Sequence, residues 1–181
     1  YAKGTMMYSG SSDCSGLFLL KNGQIRTFII SETGKEITLY RLFEGDICIF
    51  SASCVMHNIS FTMQIEAEKD TTALLIAPDI YKQLLQSSLS AADYFNQLIA
   101  ARFSDVMWIM EQVLFMSFDK RLALFLLDES NIEGTDSLTI THESIARHLG
   151  SAREVVTRML KYFQSEGMVT LARGSIRIDD R

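Results

Sequence analysis

The stretch THESIARHLGSAREVVTRMLKYFQSEG, residues 141–167, constrains this chain more than any other. Wound at about 100° per residue from Arg153, the apolar Val155, Val156, Met159, Leu160 and Phe163 fall between about 200° and 340°. Arg153, Glu154, Thr157, Arg158, Lys161 and Gln164 fall on the other side, so the helix has one oily face and one donor-rich face. Ser151-Ala152-Arg153-Glu154 fits the capping-box pattern and predicts the helix start. Upstream, Thr141 can cap a shorter helix with Ile145, Ala146 and Leu149 turned inward, and Gly150 permits a tight bend between the two. Gly167 ends the long helix, and MVTLARGSIRI holds two short strands around Arg173-Gly174-Ser175. Helix, glycine turn, helix and hairpin make a winged helix-turn-helix.

The remainder supports an α+β chain. From residue 16 to 78, short apolar runs are separated by Lys21-Asn22-Gly23, Thr33-Gly34-Lys35, Gly45-Asp46 and Lys69-Asp70, the punctuation of an antiparallel sandwich or barrel. Pro78 closes this region. DIYKQLLQSS is a short helix, and a longer one is expected from about Ser90 to Phe115, capped by Ser90 or Asp93. Along it Phe95, Ile99, Phe103, Val106, Met110 and Val113 form one apolar stripe, which reads as a dimerisation seam. Leu98, Met107, Trp108 and Ile109 lie off that stripe, so contacts with its own domain are expected as well. DKRLALFLLDES is a further helix, followed by the polar loop NIEGTDS. The expected organisation is a sensor domain over 1–88, a dimerisation helix over 89–116 and a winged domain over 117–181.

The net charge of −5 argues against a nucleic-acid binder until it is resolved along the chain. Residues 1–138 carry 10 Lys/Arg against 17 Asp/Glu, and residues 139–181 carry 7 against 5, with His142 and His148 in addition. An acidic body with a basic tail fits a DNA-binding module on a sensor. Hydrophobic residues make up 48% of the chain, enough for a packed core, yet no run of about 18 apolar residues suggests a membrane span. The chain opens at Tyr1 and shows no basic-then-apolar leader, and the lack of an initial Met suggests that residues come before it. Three cysteines, Cys14, Cys48 and Cys54, are too few for a disulfide framework and fit a reducing cytoplasm.

The donor-rich face carries the chemistry. Arginine can bond guanine O6 and N7 with two parallel donors, and a glutamate can accept from cytosine N4. Arg153, Glu154 and Arg158, near the helix start, suit base reading, and Thr157 shares their face. Thr141, Lys161 and Arg173 are better placed for phosphate. The competing reading is a solvated face with an intrahelical Glu154–Arg158 pair. Glu154 also has three available roles: capping the helix, reading a cytosine or orienting Arg158.

Residues 140–169, with LYRLFEGDICIF at 39–50 and its Gly-Asp turn, resemble the Crp/Fnr family of bacterial transcription regulators over essentially the whole chain. The resemblance implies an N-terminal β-roll of the cyclic-nucleotide-binding type, a long dimer helix and a C-terminal winged helix. It also implies a homodimer on a two-fold symmetric site and contacts with RNA polymerase. The family's recognition positions map to Arg153, Glu154, Thr157 and Arg158. The Ser usual before the Arg-Glu pair is Ala152 here, so Ser151 is expected to take over its cap and phosphate contact. Members that bind cyclic AMP carry a Gly-Glu and an Arg-Ser pair where this chain has about Ile49-Phe50 and Phe61-Thr62. Those side chains cannot neutralise a phosphate, so the expected effector is not cyclic AMP.

Two sharper readings of the sensor remain. Cys48 and Cys54, six residues apart with His57 nearby, suggest thiol redox sensing, against the plainer reading of buried small hydrophobes. Three thiols fall short of an Fe–S cluster's usual four, and a lone His57 is a weak haem ligand, so no cofactor is expected. A cupin-like metal enzyme on the roll would need several converging His and carboxylates, and the β region holds only His57.

Overall fold

The computed structural model describes residues 1–10, 16–51 and 62–180, which form two compact units. Cys14, Cys54, His57 and Phe61 lie outside the described residues. The first unit is Tyr1–Ile30 with Thr38–Ile109, and the second is Ser31–Ile37 with Met110–Arg181.

In the first unit, β1 (Met6–Tyr8), β2 (Leu17–Asn22), β3 (Ile25–Ile30), β4 (Glu36–Leu42), β5 (Ile47–Cys48), β6 (Gln64–Ala67) and β7 (Thr72–Ile76) make two sheets, ordered β1-β6-β3-β4 and β5-β2-β7. Strand β1 was not expected, being three residues long. The two sheets enclose one core that includes Phe18, Leu20, Ile25, Leu42, Cys48 and Ile65. The Gly23 turn is obligatory. Its φ is +91°, and a Cβ there would sit 2.5 Å from the Asp70 carbonyl oxygen. Arg26 and Glu66 are cross-strand partners, and the buried guanidinium bonds Glu66 Oε2 at 2.8 Å while lying over the Phe28 ring.

Helices α1 (Pro78–Ser87) and α2 (Leu89–Phe115) follow. Ser88, rather than Ser90 or Asp93, caps α2, its Oγ accepting from the Ala91 amide at 3.2 Å. A second cluster of Leu17, Ile49, Tyr81 and Phe95 locks both helices onto the roll, with the Tyr81 and Phe95 rings edge to face at 4.7 Å. Val106 also packs against the roll core, and Arg102 stands over the Tyr40 ring.

The second unit holds α3 (Phe118–Glu133), β8 (Ser137–Leu138), α4 (His142–Leu149), α5 (Arg153–Ser165), β9 (Val169–Ala172) and β10 (Ser175–Ile178). Helix α3 runs three residues into the expected polar loop, until Gly134 stops it with φ +66°. The wing is three-stranded, ordered β8-β10-β9, rather than a simple hairpin. Its core draws on every element, including Leu122 and Leu126 of α3, Ile145 of α4, Val156 and Leu160 of α5, and Ile176 of β10. The tip of the β3–β4 hairpin belongs to this unit. Ile37 bridges to Leu149, and Arg147 Nε donates to Glu36 at 3.0 Å.

Candidate nucleic-acid interface

Helix α4 is built as its sequence implies. Thr141 is its N-cap, the hydroxyl accepting from the Ser144 amide at 3.0 Å. Gly150 ends it with φ +65°, and the Ser151 amide donates back to the Ala146 carbonyl at 3.0 Å. From α3, an Arg121 guanidinium nitrogen donates to the Leu149 carbonyl, satisfying another exposed end of the helix.

The start of α5 differs from expectation. Its N-cap is Ala152, which makes no side-chain cap bond, and the Val155 and Val156 amides close onto the Ala152 carbonyl at 3.0 and 3.2 Å. Ser151 is held back in the α4 turn, one residue too early to cap, so the capping box is not formed. Glu154 is thereby released. It makes neither a cap bond nor an ion pair with Arg158 among the described residues. Of the three roles open to it, reading a base is the one this geometry leaves unoccupied.

The buried face of α5 is Val156, Leu160 and Phe163, with Val155 and Met159 half-buried. Arg153, Glu154, Arg158 and Lys161 are exposed on the opposite side. The six described Lys and Arg residues between 139 and 181 divide cleanly. Arg147 and Arg177 are held in ion pairs with Glu36 and Asp179. Arg153, Arg158, Lys161 and Arg173 make no ion pair among the described residues, the last lying exposed in the β9–β10 turn. A structural helix face would have satisfied some of these charges locally. Arg153, Arg158 and Lys161, on the exposed face of α5 with Glu154 as the carboxylate among them, suit a polyanion.

Thr157 is less free than its neighbours. Its hydroxyl donates to the Arg153 carbonyl at 2.9 Å and lies 2.9 Å from Nδ1 of His142, the first residue of α4. Burial, with the nearby positive charge of Arg153, holds the His142 pKa below its ordinary value. This brace was not legible in the sequence, because it joins residues fifteen apart across the turn. His148 is buried and stacked on Phe125 at 5.1 Å, a core residue of the unit.

The α2 stripe divides. Phe95 is 5% exposed, and it and Val106 pack into their own unit, which corrects their assignment to a dimer seam. Ile99, Phe103, Met110 and Val113 are exposed, and Met107 and Leu114 share their side of the helix. Cys48 is fully buried, and desolvation pushes its thiol up to about 11, which argues against it as a redox sensor. Ile49, at one position where cyclic-nucleotide binders carry polar residues, is part of the core. A cleft of about 190 Å³ beside Leu126, Leu127, Phe163 and Met168 carries Asp180 but no nucleophile or general-base pair. Among the described residues no three His, Cys, Asp or Glu side chains converge, and no helix is long and apolar enough to cross a membrane.

Comparison with known proteins agrees with this geometry. Residues 120–181 match the model of the Crp-like helix-turn-helix domain, and residues 1–88 match that of the cyclic nucleotide-binding domain. A solved structure from Eubacterium rectale, assigned to the Crp/Fnr family of transcriptional regulators, is 57% identical with a TM-score of 0.94. The match covers 99% of this chain and 83% of that one. Regulatory protein HlyX of Actinobacillus pleuropneumoniae is 25% identical over 93% of this chain and 72% of its own length. The c-di-GMP responsive regulator CLP of Xanthomonas campestris, 20% identical, shares the fold with a TM-score of 0.83 over 98% of this chain and 91% of that one. The winged unit with its uncommitted cations, the roll and these matches together place the chain in the Crp/Fnr family of DNA-binding transcription regulators.

Proposed function

We propose that the protein acts as a homodimer that reads a two-fold symmetric DNA site, with one α5 in each of two successive major grooves. The observation that carries this reading is the set of cations without ion pairs on α5 and the wing. Arg153, Glu154, Thr157 and Arg158 read base edges. Thr141, Ser151, Lys161 and Arg173 contact phosphate and set the register without sequence information. The dimer forms along α2 through Ile99, Phe103, Met110 and Val113, whose exposed apolar stripe would otherwise stand in water. Bound at its site in the cytoplasm, the dimer presents its outer surfaces to RNA polymerase, and it acts as a regulator rather than an enzyme. Its effector is not cyclic AMP, given Ile49 and Phe50 where an anion would need a partner. No metal or haem cofactor enters this reading.

Selection of bound duplexes from a random pool tests it. The expected result is a palindromic consensus with half-site centres about one helical turn apart, relaxed at one base pair of each half-site in Arg153→Ala. Retention of all duplexes equally, by wild type and variant alike, would refute sequence-specific reading.

A further inference from the structure

We infer that Thr157 presents a hydrogen-bond acceptor to the major groove, its proton held by the Arg153 carbonyl and one lone pair taken by His142, and that it favours base pairs that place an amino group, adenine N6 or cytosine N4, before it. The inference rests on the reading of α5 as the recognition helix. It follows from counting protons. A threonine hydroxyl has one proton and two lone pairs. Thr157 Oγ1 stands 2.9 Å from the Arg153 carbonyl oxygen, which can only accept, so the proton goes there. Oγ1 also stands 2.9 Å from His142 Nδ1. With its one proton committed, the hydroxyl must accept from that nitrogen, so His142 carries its hydrogen on Nδ1. One lone pair of Thr157 remains.

That lone pair can accept from adenine N6 or cytosine N4 in the major groove. It has nothing to offer guanine O6 or thymine O4, which are acceptors themselves. His142 is the positioning residue. Turning the proton toward a keto group would break its bond to the Arg153 carbonyl and leave a lone pair facing that oxygen at 2.9 Å, so the acceptor polarity is favoured, while the His142 bond fixes where the free lone pair points. Neutral imidazole and imidazolium both bear hydrogen on Nδ1 in this arrangement, so the preference holds on either side of the His142 titration. Of the charged groups on the two helices, Glu143 and Arg147 on α4 and Arg153, Glu154, Arg158 and Lys161 on α5, Arg153 is the one that adds to burial in lowering the pKa of the ring.

The test is random-duplex selection on the full chain for wild type, Thr157→Val and His142→Phe, followed by affinity measurement on single-base variants of the consensus. In the wild type, one position of each half-site should group A·T with C·G against T·A with G·C, the first base of each pair read on the same strand, by roughly fivefold, the worth of one net hydrogen bond. Thr157→Val, which keeps the shape and removes the hydroxyl, should level that position and leave the others unchanged. His142→Phe, which keeps the ring and removes the donor, should weaken the same preference while the other positions stay as they were. A Thr157-dependent position that sorts base pairs in any other way, purine from pyrimidine or A·T and T·A from G·C and C·G, or a Thr157→Val profile identical to wild type, overturns the inference. Either result is distinguishable from failure of recognition by α5, in which no position would show a preference and Arg153→Ala would change nothing.

Discussion

Replacing Arg173 with Ala removes a cation without an ion pair from the β9–β10 turn and leaves α5 untouched. In a dimer the change occurs twice. If each Arg173 neutralises one phosphate, each releases about 0.9 of a counterion, so the slope of log K against log salt should become shallower by about 1.8. Between 50 and 200 mM salt, a fourfold rise, that slope corresponds to a factor of about 12. The advantage of wild type over Arg173→Ala should therefore shrink by that factor across the range. The ratio of cognate to scrambled affinity should not move, because a phosphate contact carries no base information. Arg153→Ala should do the reverse, costing roughly 1–3 kcal/mol and relaxing one base pair of each half-site. Anisotropy titrations of labelled cognate and scrambled duplexes at several salt concentrations separate the two effects. An Arg173→Ala protein with an unchanged salt slope, or with lost discrimination, would show that the wing does not do what its exposed cation implies.

Three other outcomes follow from the packing and charge. Phe103 is 64% exposed near the middle of the α2 stripe, so Phe103→Glu should shift sedimentation from dimer toward monomer while leaving far-UV circular dichroism unchanged. A Phe103→Glu protein that remains fully dimeric at low micromolar concentration would place the interface elsewhere. Cys48 should resist alkylation at neutral pH until denaturant is added, as mass spectrometry of labelled peptides would show, because its burial keeps the thiol protonated. Rapid labelling in native buffer would contradict that. His142 has a folded-state pKa below its unfolded value of about 6.5, so its contribution to stability is present above that pH and is lost as pH falls through the folded value. Urea midpoints at pH 7.5 and 5.5 should differ less in His142→Gln than in wild type, and equal differences would remove His142 as a source of the pH dependence.

What could be read from the chain alone followed local periodicity. The two faces of α5, the inward trio Ile145, Ala146 and Leu149, and the glycine turns at 23, 34 and 174 all depend on near neighbours, and all stand where expected. What could not be read depends on distant partners. Strand β8 is two residues long and exists because β10 pairs with it. Ser151 and Ala152 compete to cap α5, and the contest is settled by the Ser151 amide bonding back to Ala146. The stripe on α2 looked uniform, yet Phe95 and Val106 turn to the roll while Ile99 and Phe103 do not, because only the roll's shape distinguishes them. Among the interface residues, the arginines announced themselves by helical spacing. The His142–Thr157 brace and the Arg121 bond to Leu149 had no pattern to announce them.

The hairpin tip at Ser31–Ile37 has a consequence for synthesis. Glu36 finds Arg147 across 111 positions of chain. At about 5–20 residues per second, the tip leaves the ribosome several seconds to some tens of seconds before its partner. During that interval Ile37 has no Leu149 to bridge to and Glu36 has no guanidinium. The compact winged unit thus draws on residues that are not contiguous in the chain, and the Glu36–Arg147 pair is a non-local contact of the kind whose closure entropy is met late. Cutting the chain after α2 would release a roll with an undocked tip and a winged fragment lacking Ser31–Ile37 as well as the last turns of α2 from Met110 onward. A boundary drawn at the long helix would therefore divide a unit that takes residues from both sides of it.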